Sequence, residues 1–489
     1  VLDSLNVQQR RAVQAPFSRH CLILAGAGCG KTAVLTRRIA WCAAHHCEQR
    51  RILALTFTRK AAAEMRQRAV DLDGIHEELP LPRITTFHGL CRAIALETIE
   101  GTPNYARLGY HQRPRLLMER ERLEMLAAVS SSRERRVLDA DLYRLDSLLA
   151  CHAVNRSRLR ALSESRQALL DRIARRLTHY KREHGAWEFA DMTACAVRLL
   201  ETVPAAAREI QRRFACVLVD EFQDTNPLQI ALLKLLCGAH APVFAVGDDD
   251  QAIYGFRGAD TGPVLRFGDY FPDAACMKLE INYRSRPALL RRTNRIFADK
   301  PAPLRKVLRS GAFAGRGERG RGPIRRCFAD YDVMIRWVSR TIDTSCARLG
   351  RDPDAIAVLF RLHDTADSFR EALGACRGGR AMPRIMTVHA SKGLEFDAVI
   401  VCDLEEGIFP HYRGRPQRPI RTWRDVWRGL ASGSPRRSAP ADCDLEEERR
   451  LFYVAATRAR SQLFLVAVRK KRLHNTFTAL RPSRFLSLL

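Results

Sequence analysis

The sequence has no C-x-x-C pair. Its 15 cysteines are scattered singly from Cys21 to Cys443, so neither zinc nor iron–sulfur ligand spacing is present. Several of them, Cys195, Cys216 and Cys402 among them, sit inside apolar runs, where a free thiol packs as a small hydrophobe. That pattern favours a reducing setting over a disulfide scaffold. The chain also lacks any run of about twenty apolar residues, which excludes a membrane-spanning helix, and no signal peptide precedes residue 1. Both absences point to the cytosol. Acidic residues are in short supply: 54 Asp and Glu stand against 82 Lys and Arg, leaving a net charge of +28. Such an excess suits a polyanionic partner, whose condensed counterions are released as phosphates are neutralised. An arginine-biased solvated surface is the alternative reading of the same number. No internal repeat is evident.

What is there is organised by period. A chain of 489 residues is too long for one core and fits two to four domains. From residue 20 to about 95 short apolar strands alternate with helical segments: Arg51–Phe57 reads as a strand, Arg59–Val70 as a helix, Arg83–Thr86 as a strand. The alternation predicts a parallel sheet with helices on both faces. Strand signals vanish over residues 112–213, which read as amphipathic helices and so as a helical subdomain interrupting the first α/β domain. They resume at Ala215–Val219 and Pro242–Val246, and a second α/β alternation begins near Met277, with strands at Ile356–Phe360, Arg384–Val388, Ala398–Cys402 and Gln462–Val468. Gly311–Arg326 and Arg413–Asp442 read as exposed basic loops or linkers.

The segment Ala25-Gly26-Ala27-Gly28-Cys29-Gly30-Lys31-Thr32 follows the apolar run Cys21–Leu24 and precedes the helical stretch Ala33–Ala44. Strand, glycine-rich turn, helix is what a phosphate-binding loop needs, because small residues let backbone N–H groups wrap phosphates at a helix N-terminus. In this reading Lys31 reaches the β/γ-phosphates and the Thr32 hydroxyl holds Mg²⁺. Two further apolar strands run into polar clusters. Val217–Val219 ends in Asp220-Glu221, a pair suited to holding Mg²⁺ through water and to activating the attacking water. Val246-Gly247 runs into Asp248-Asp249-Asp250-Gln251, whose glutamine is placed to sense the γ-phosphate. Tyr254 and Phe256 follow, and spacing alone does not decide whether they stack on bases or fill a core. Asn282-Tyr283-Arg284-Ser285 and Ala456-Thr457-Arg458-Ala459 each offer one arginine able to stabilise charge on a transferring phosphoryl group.

Taken in order, these segments resemble the motifs of superfamily 1 DNA helicases of the UvrD/Rep/PcrA group, nearly end to end. Leu5–Arg10 is similar to the adenine-reading Q motif, with Gln9 as the reader. Thr56–Ala62 resembles motif Ia and Thr86-Phe87-His88 motif Ib. Asp220–Thr225 is similar to motif II, Gly247–Ala259 to motif III, and Asn282–Ser285 to motif IV. Thr387–Phe396 resembles motif V and Glu447–Arg460 motif VI. Alanine in place of the first P-loop glycine is the family's own choice at Ala25.

The resemblance implies an α/β fold of two RecA-like P-loop motor domains, parallel sheets flanked by helices, with a helical insertion, 1B, in the first. The expected boundaries are 1–95 and 205–276 for motor domain 1A, 96–204 for 1B and 277–489 for motor domain 2A. It also implies ATP and Mg²⁺ as ligands, with ATP between the motor domains. The catalytic set is then Lys31, Thr32, Asp220, Glu221, Gln251, Arg284 and Arg458, with Thr32 and Asp220 at the metal. Residues 25–32 and Gln9 hold the nucleotide, Tyr283 stacks on adenine and Glu395 contacts the ribose. Phe57, Thr58, His88, Tyr254, Phe256, Thr387 and His389 line a path for single-stranded DNA, joined by Phe189 in a segment that matches the family less closely. The implied activity is 3′→5′ translocation on single-stranded DNA and unwinding of 3′-tailed duplex, in repair or replication, by a monomer in the bacterial cytosol or nucleoid.

Cys29, Phe256 and Arg59 depart from the usual small hydroxyl residue, tryptophan and asparagine of the family. The larger departure is an absence. Relatives insert a large helical domain, 2B, between motifs IV and V. Here about a hundred residues separate Asn282 from Thr387, and the second motor domain needs them itself, so 2B is expected to be absent or vestigial near 377–384. A translocase that strips proteins from DNA without processive unwinding is the alternative this leaves open. A non-enzymatic binding module with a decayed motor is opposed by the intact Lys31, Asp220, Glu221, Gln251, Arg284 and Arg458.

Overall fold

The computed structural model describes residues 2–489 apart from 73–74, 77, 100, 155–158, 160–161, 239, 256–261, 302–303, 312–321, 412–441 and 474–475. The chain divides into two compact units. The first holds residues up to Ala25 and Gly30–Leu279, and the second holds Gly26–Cys29 with Glu280–Leu489.

In the first unit, β1 (Cys21–Ala25), β2 (Ile52–Thr56), β3 (Arg83–Thr86), β4 (Cys216–Val219), β5 (Val243–Gly247) and β6 (Ala275–Leu279) form one six-stranded sheet in the order β6-β1-β5-β4-β2-β3. Every pairing is parallel. Strands β1, β2, β4 and β5 are buried along their full length, which is why they read as continuous apolar runs rather than alternating ones. Helices α1 (Val7–Val13), α2 (Lys31–His45), α3 (Arg59–Val70) and α4 (Phe87–Leu96) supply the crossovers and flanks. Side chains cap most of these starts: Asn6 caps α1, Thr58 caps α3 and Thr86 caps α4. Such caps satisfy the orphan N–H groups that every helix start exposes.

The helical stretch contains two different environments. Met125, Leu126, Leu145, Leu149, Leu169, Leu170, Ile173 and Leu177 gather a core of their own, drawn from α5 (Glu119–Val129), α6 (Leu142–Val154) and α7 (Glu164–Glu183). By contrast α8 (Phe189–Thr202) and α9 (Pro204–Arg213) send Met192, Ala196, Leu199, Leu200 and Ile210 into the core beneath the sheet, with Phe87, Leu90, Ile94 and Leu232.

The second unit is built on β7 (Ile324–Phe328), β8 (Ile356–Phe360), β9 (Arg384–Thr387), β10 (Phe396–Val401) and β11 (Ala459–Val468), in the order β7-β11-β10-β8-β9 and again all parallel. Its core packs α10 (Tyr331–Leu349) and α11 (His363–Arg377) on the sheet through Val338, Ile342, Phe369 and Leu373. A buried ion pair joins Arg361 to Glu448 on α12 (Asp442–Ala456), at 2.6 Å. Strand β7 begins inside the segment read as a basic loop. It is an edge strand whose sequence, Ile-Arg-Arg-Cys-Phe, is largely exposed, so it carries no apolar run to betray it. Helix α11 ends at Arg377 with Gly378 in the left-handed conformation, and β9 starts at Arg384, leaving six residues between them. Among the described residues no helix is long and apolar enough to cross a membrane.

Candidate active site

Because β1, β5 and β4 are parallel neighbours, their carboxyl ends fall side by side, the edge where open α/β sheets bind ligands. Ala25 closes β1, Asp248 follows β5 and Asp220 follows β4. Helix α2 opens beside them at Lys31. Unlike α1, α3 and α4 it has no side-chain cap, and like them it has no acidic residue in its first turn, which leaves its N–H groups available to an anion. Gly30 precedes it with φ +82°, and a Cβ there would come 2.7 Å from Gln9 Nε2. Glycine therefore serves both the left-handed turn and the close seat of Gln9, whose Oε1 is held by the Asn6 backbone N–H in a capping box.

A chain of hydrogen bonds ties the three strand ends together. Lys31 Nζ donates to Glu221 Oε2 at 2.9 Å, and Gln223 Nε2 donates to the same oxygen at 2.5 Å. The Asp248 N–H donates to Gln223 Oε1 at 2.8 Å, and Gln251 Nε2 donates to Asp248 Oδ2 at 2.6 Å. Gln223 is fully buried, and a Cβ on Gly247 would press within 2.8 Å of its amide oxygen. Glu221 sits at φ +48°, a conformation uncommon for a side-chain-bearing residue and concentrated at functional sites. Burial acts to lower the pKa of the Lys31 ammonium, but the carboxylates of Glu221, Asp248 and Asp220 outweigh it and move the pKa up. Lys31 is thus a held, charged group.

The residues fit a divalent cation. Asp220 is buried, its charge acts on Lys31, the residue before Thr32, and its Oδ1 accepts the Glu221 N–H at 3.0 Å. The carboxylate oxygens of Asp248, Asp249 and Asp250 lie within 4.8 Å of one another. Oxygen donors of this kind suit Mg²⁺.

The second unit assembles its own cluster. Asn282 Oδ1 accepts the N–H groups of Arg284 and Ser285, at 2.9 and 2.8 Å, and its amide donates to Ala27 O at 2.6 Å. Arg284 Nε donates to Glu395 Oε2 at 2.6 Å, and its Nη1 to Thr457 O at 3.1 Å. Glu395 also binds Arg460. Burial acts to raise the Glu395 pKa, but Arg460 and Arg284 together bring it below the usual carboxylate range. Arg458 is buried, its Nε and Nη1 donating to Val454 O and Leu394 O, each at 3.1 Å. Tyr283 is 44% exposed. The three segments around Asn282, Thr387 and Arg458 are therefore neighbours in space, Glu395 meeting Arg284 directly. Arg284 and Arg458 thus both make polar contacts within this unit.

The residues expected to meet DNA fall into groups. His88 and Phe189 form one patch, their rings 5.1 Å apart edge to face, with Phe189 54% exposed. Phe189 is the first residue of α8, and its flanking carboxylates fix it: Lys181, itself buried, binds both Glu188 and Asp191. Phe57 is half-buried, its ring 5.4 Å from Phe87, and the exposed Thr58 caps α3 through the Ala61 N–H. Tyr254 and His389 are half-buried, whereas Thr387 is buried with its hydroxyl accepting the Ala390 N–H at 3.3 Å. Phe256 lies outside the described residues. Sequence reasoning assigned no role to Gln223, the residue that joins the Asp220–Glu221 turn to Asp248. Its only signal was its place in the motif II segment.

Residues 5–272 match the UvrD/REP helicase N-terminal domain, and residues 381–470 the UvrD-like helicase C-terminal domain. The first match alone spans more than half of the 489 residues. The chain belongs to the UvrD/Rep helicase family. It is 35% identical over 398 residues to the ATP-dependent DNA helicase UvrD1 of Mycobacterium tuberculosis, an alignment covering 76% of this chain and 49% of that protein. To the DNA helicase II of Haemophilus influenzae it is 33% identical over 389 residues, 77% of this chain and 51% of that protein. The chain thus spans about half the length of these curated relatives. A probable DNA helicase of Mycoplasma pneumoniae aligns with all of this chain at 29% identity over 503 residues, 87% of that protein.

Proposed function

We propose that this protein is an ATP-dependent DNA helicase that translocates 3′→5′ on single-stranded DNA and separates duplex ahead of it. The observation that carries the reading is the hydrogen-bonded chain Lys31–Glu221–Gln223–Asp248–Gln251. It joins a phosphate-binding lysine, a base for the attacking water and a γ-phosphate sensor in one rigid circuit. Thr32 and Asp220 would hold Mg²⁺, which when bound neutralises charge on the phosphates. Glu221 orients and deprotonates water, and Arg284 and Arg458 stabilise charge on the transferring phosphoryl group. Gln9 and Tyr283 select and stack on the base, with Glu395 toward the ribose. Hydrolysis measured with and without single-stranded DNA tests the reading. ATP turnover raised by DNA is expected, and no turnover in either condition would overturn it.

The domain scheme of the motif resemblance, 1A (1–95 and 205–276), 1B (96–204) and 2A (277–489), goes with this proposal. The six residues between Arg377 and Arg384, and the alignment of the whole chain with a relative of similar length, support a motor without 2B. The protein would act as a monomer on single-stranded and 3′-tailed DNA, in repair or replication, in the cytosol. A translocase that strips proteins from DNA is the second reading, favoured by the same six-residue connection. The exposed Phe189, packed against the half-buried His88, would provide a stacking platform for bases. Phe189→Ala is expected to weaken single-strand binding by about 1–3 kcal/mol, with the binding salt slope unchanged because no phosphate contact is lost. Fluorescence anisotropy over a salt series measures both.

A further inference from the structure

The parallel register of the first sheet gathers arginines at its amino-terminal edge, away from the candidate active site. Ile52, the first residue of β2, pairs with Cys216, the first of β4, and Leu53 pairs with Arg83, the first of β3. The segments leading into these strands therefore meet. The 3₁₀ turn Gln49–Arg51 precedes β2 and the end of α9 precedes β4, tied by the Ala215 N–H donating to Arg51 O at 2.8 Å. A cavity of about 550 Å³ lies here, lined by Arg50, Arg51, Arg83, Arg212 and Arg213, with Glu48, Glu209 and the buried Phe214. Phe57, on the expected DNA path, follows the other end of β2, five residues away at about 3.3 Å each.

Two of these arginines already have partners. Arg50 Nε lies 2.5 Å from Glu48, and Arg213 Nη1 donates to both Glu97 oxygens, at 2.9 and 3.0 Å, with Glu209 at 3.4 Å. Both lining glutamates are thereby engaged. Among the described residues, Arg51, Arg83 and Arg212 make no ion pair and no side-chain hydrogen bond. Arg51 and Arg212 are exposed and Arg83 is half-buried. Burial acts to lower the Arg83 pKa, Glu97 opposes it and Arg213 adds to the lowering. A guanidinium that gives up hydration beside another cation is stabilised when an anion joins it.

We propose that this cavity is a second anion site, which binds the phosphate chain of a free polyphosphate, inorganic or carried on a nucleoside. Guanidinium forks address phosphate oxygens in pairs. Three of them without carboxylates line one concave volume of the size usual for small-molecule sites. A polyphosphate concentrates several charges in such a volume. A nucleic-acid backbone spreads single charges along its length and calls for an extended basic track.

The site stands whether or not the chain hydrolyses ATP, so its test needs no activity. The full chain is treated with phenylglyoxal, which modifies accessible guanidiniums, and the rate at each arginine is followed by peptide mass spectrometry. Parallel samples contain sodium tripolyphosphate, ATP, orthophosphate or a single-stranded oligonucleotide, matched in total phosphate. Arg51, Arg83 and Arg212 are expected to react about tenfold more slowly at a tripolyphosphate concentration about ten times its Kd. Arg120, exposed on α5 and paired with Glu124, should keep its rate. Stronger protection by ATP than by tripolyphosphate assigns a nucleotide, and equal or weaker protection assigns the inorganic chain. The double substitution Arg83→Ala, Arg212→Ala, with folding checked by thermal melting, should abolish the protection of Arg51. Equal protection of Arg120, equal protection by orthophosphate, protection by the oligonucleotide alone, or none at these three arginines overturns the proposal.

Discussion

Lys31→Ala is expected to lower DNA-stimulated ATP hydrolysis by about a hundredfold or more, the scale on which removing one fixed charge-stabilising donor acts in a phosphoryl-transfer site. The size follows from the neighbours. Lys31 Nζ lies 2.9 Å from Glu221, and the carboxylates of Asp220 and Asp248 also act on its charge. With the ammonium removed, three carboxylates face the position where the phosphates would enter, with no cation from the loop to offset them. Nucleotide affinity and turnover should therefore fall together. A thermal melt recorded on the same preparation separates this from a folding defect, since Lys31 also anchors Glu221. Turnover within a few-fold of the parent would remove the phosphate loop from the account.

Glu221→Gln should separate the two losses. Glutamine keeps the shape of the side chain and an oxygen for Lys31 Nζ and Gln223 Nε2 to address, but it cannot take a proton from water. General-base catalysis contributes about 10²–10⁴-fold, so turnover should drop by that much while nucleotide binding remains. Rapid-quench measurement of a single turnover, beside equilibrium binding of a fluorescent nucleotide, reads the two quantities. If binding and turnover fall in parallel, Glu221 acts through Lys31 alone and another group is the base.

Both substitutions touch residues that were legible in the sequence, and the reason is physical. A phosphate loop needs small residues, a lysine and a hydroxyl at fixed spacing between a buried strand and a helix, and Cys21–Thr32 supplies them contiguously. Parallel strands buried on both faces write themselves as apolar runs, which is how β1, β4, β5, β8 and β10 announced themselves. What the sequence could not display is what depends on distant partners. Gln223 looks like any glutamine in a loop until β4 and β5 lie side by side and Gly247 lets its amide oxygen approach. Edge strand β7 has no apolar run because its sides are exposed. The periodicity of residues 112–213 announced helices but not their destinations: α5 to α7 make their own core, whereas α8 belongs under the sheet with Phe87 and Leu232.

Strand displacement on matched 3′-tailed and 5′-tailed duplexes, with ATP and with a non-hydrolysable analogue, tests the proposed function most directly. Displacement is expected from the 3′-tailed duplex with ATP, and none from the 5′-tailed duplex or with the analogue. DNA-stimulated hydrolysis without displacement from either duplex, or displacement from the 5′-tailed duplex alone, would contradict it.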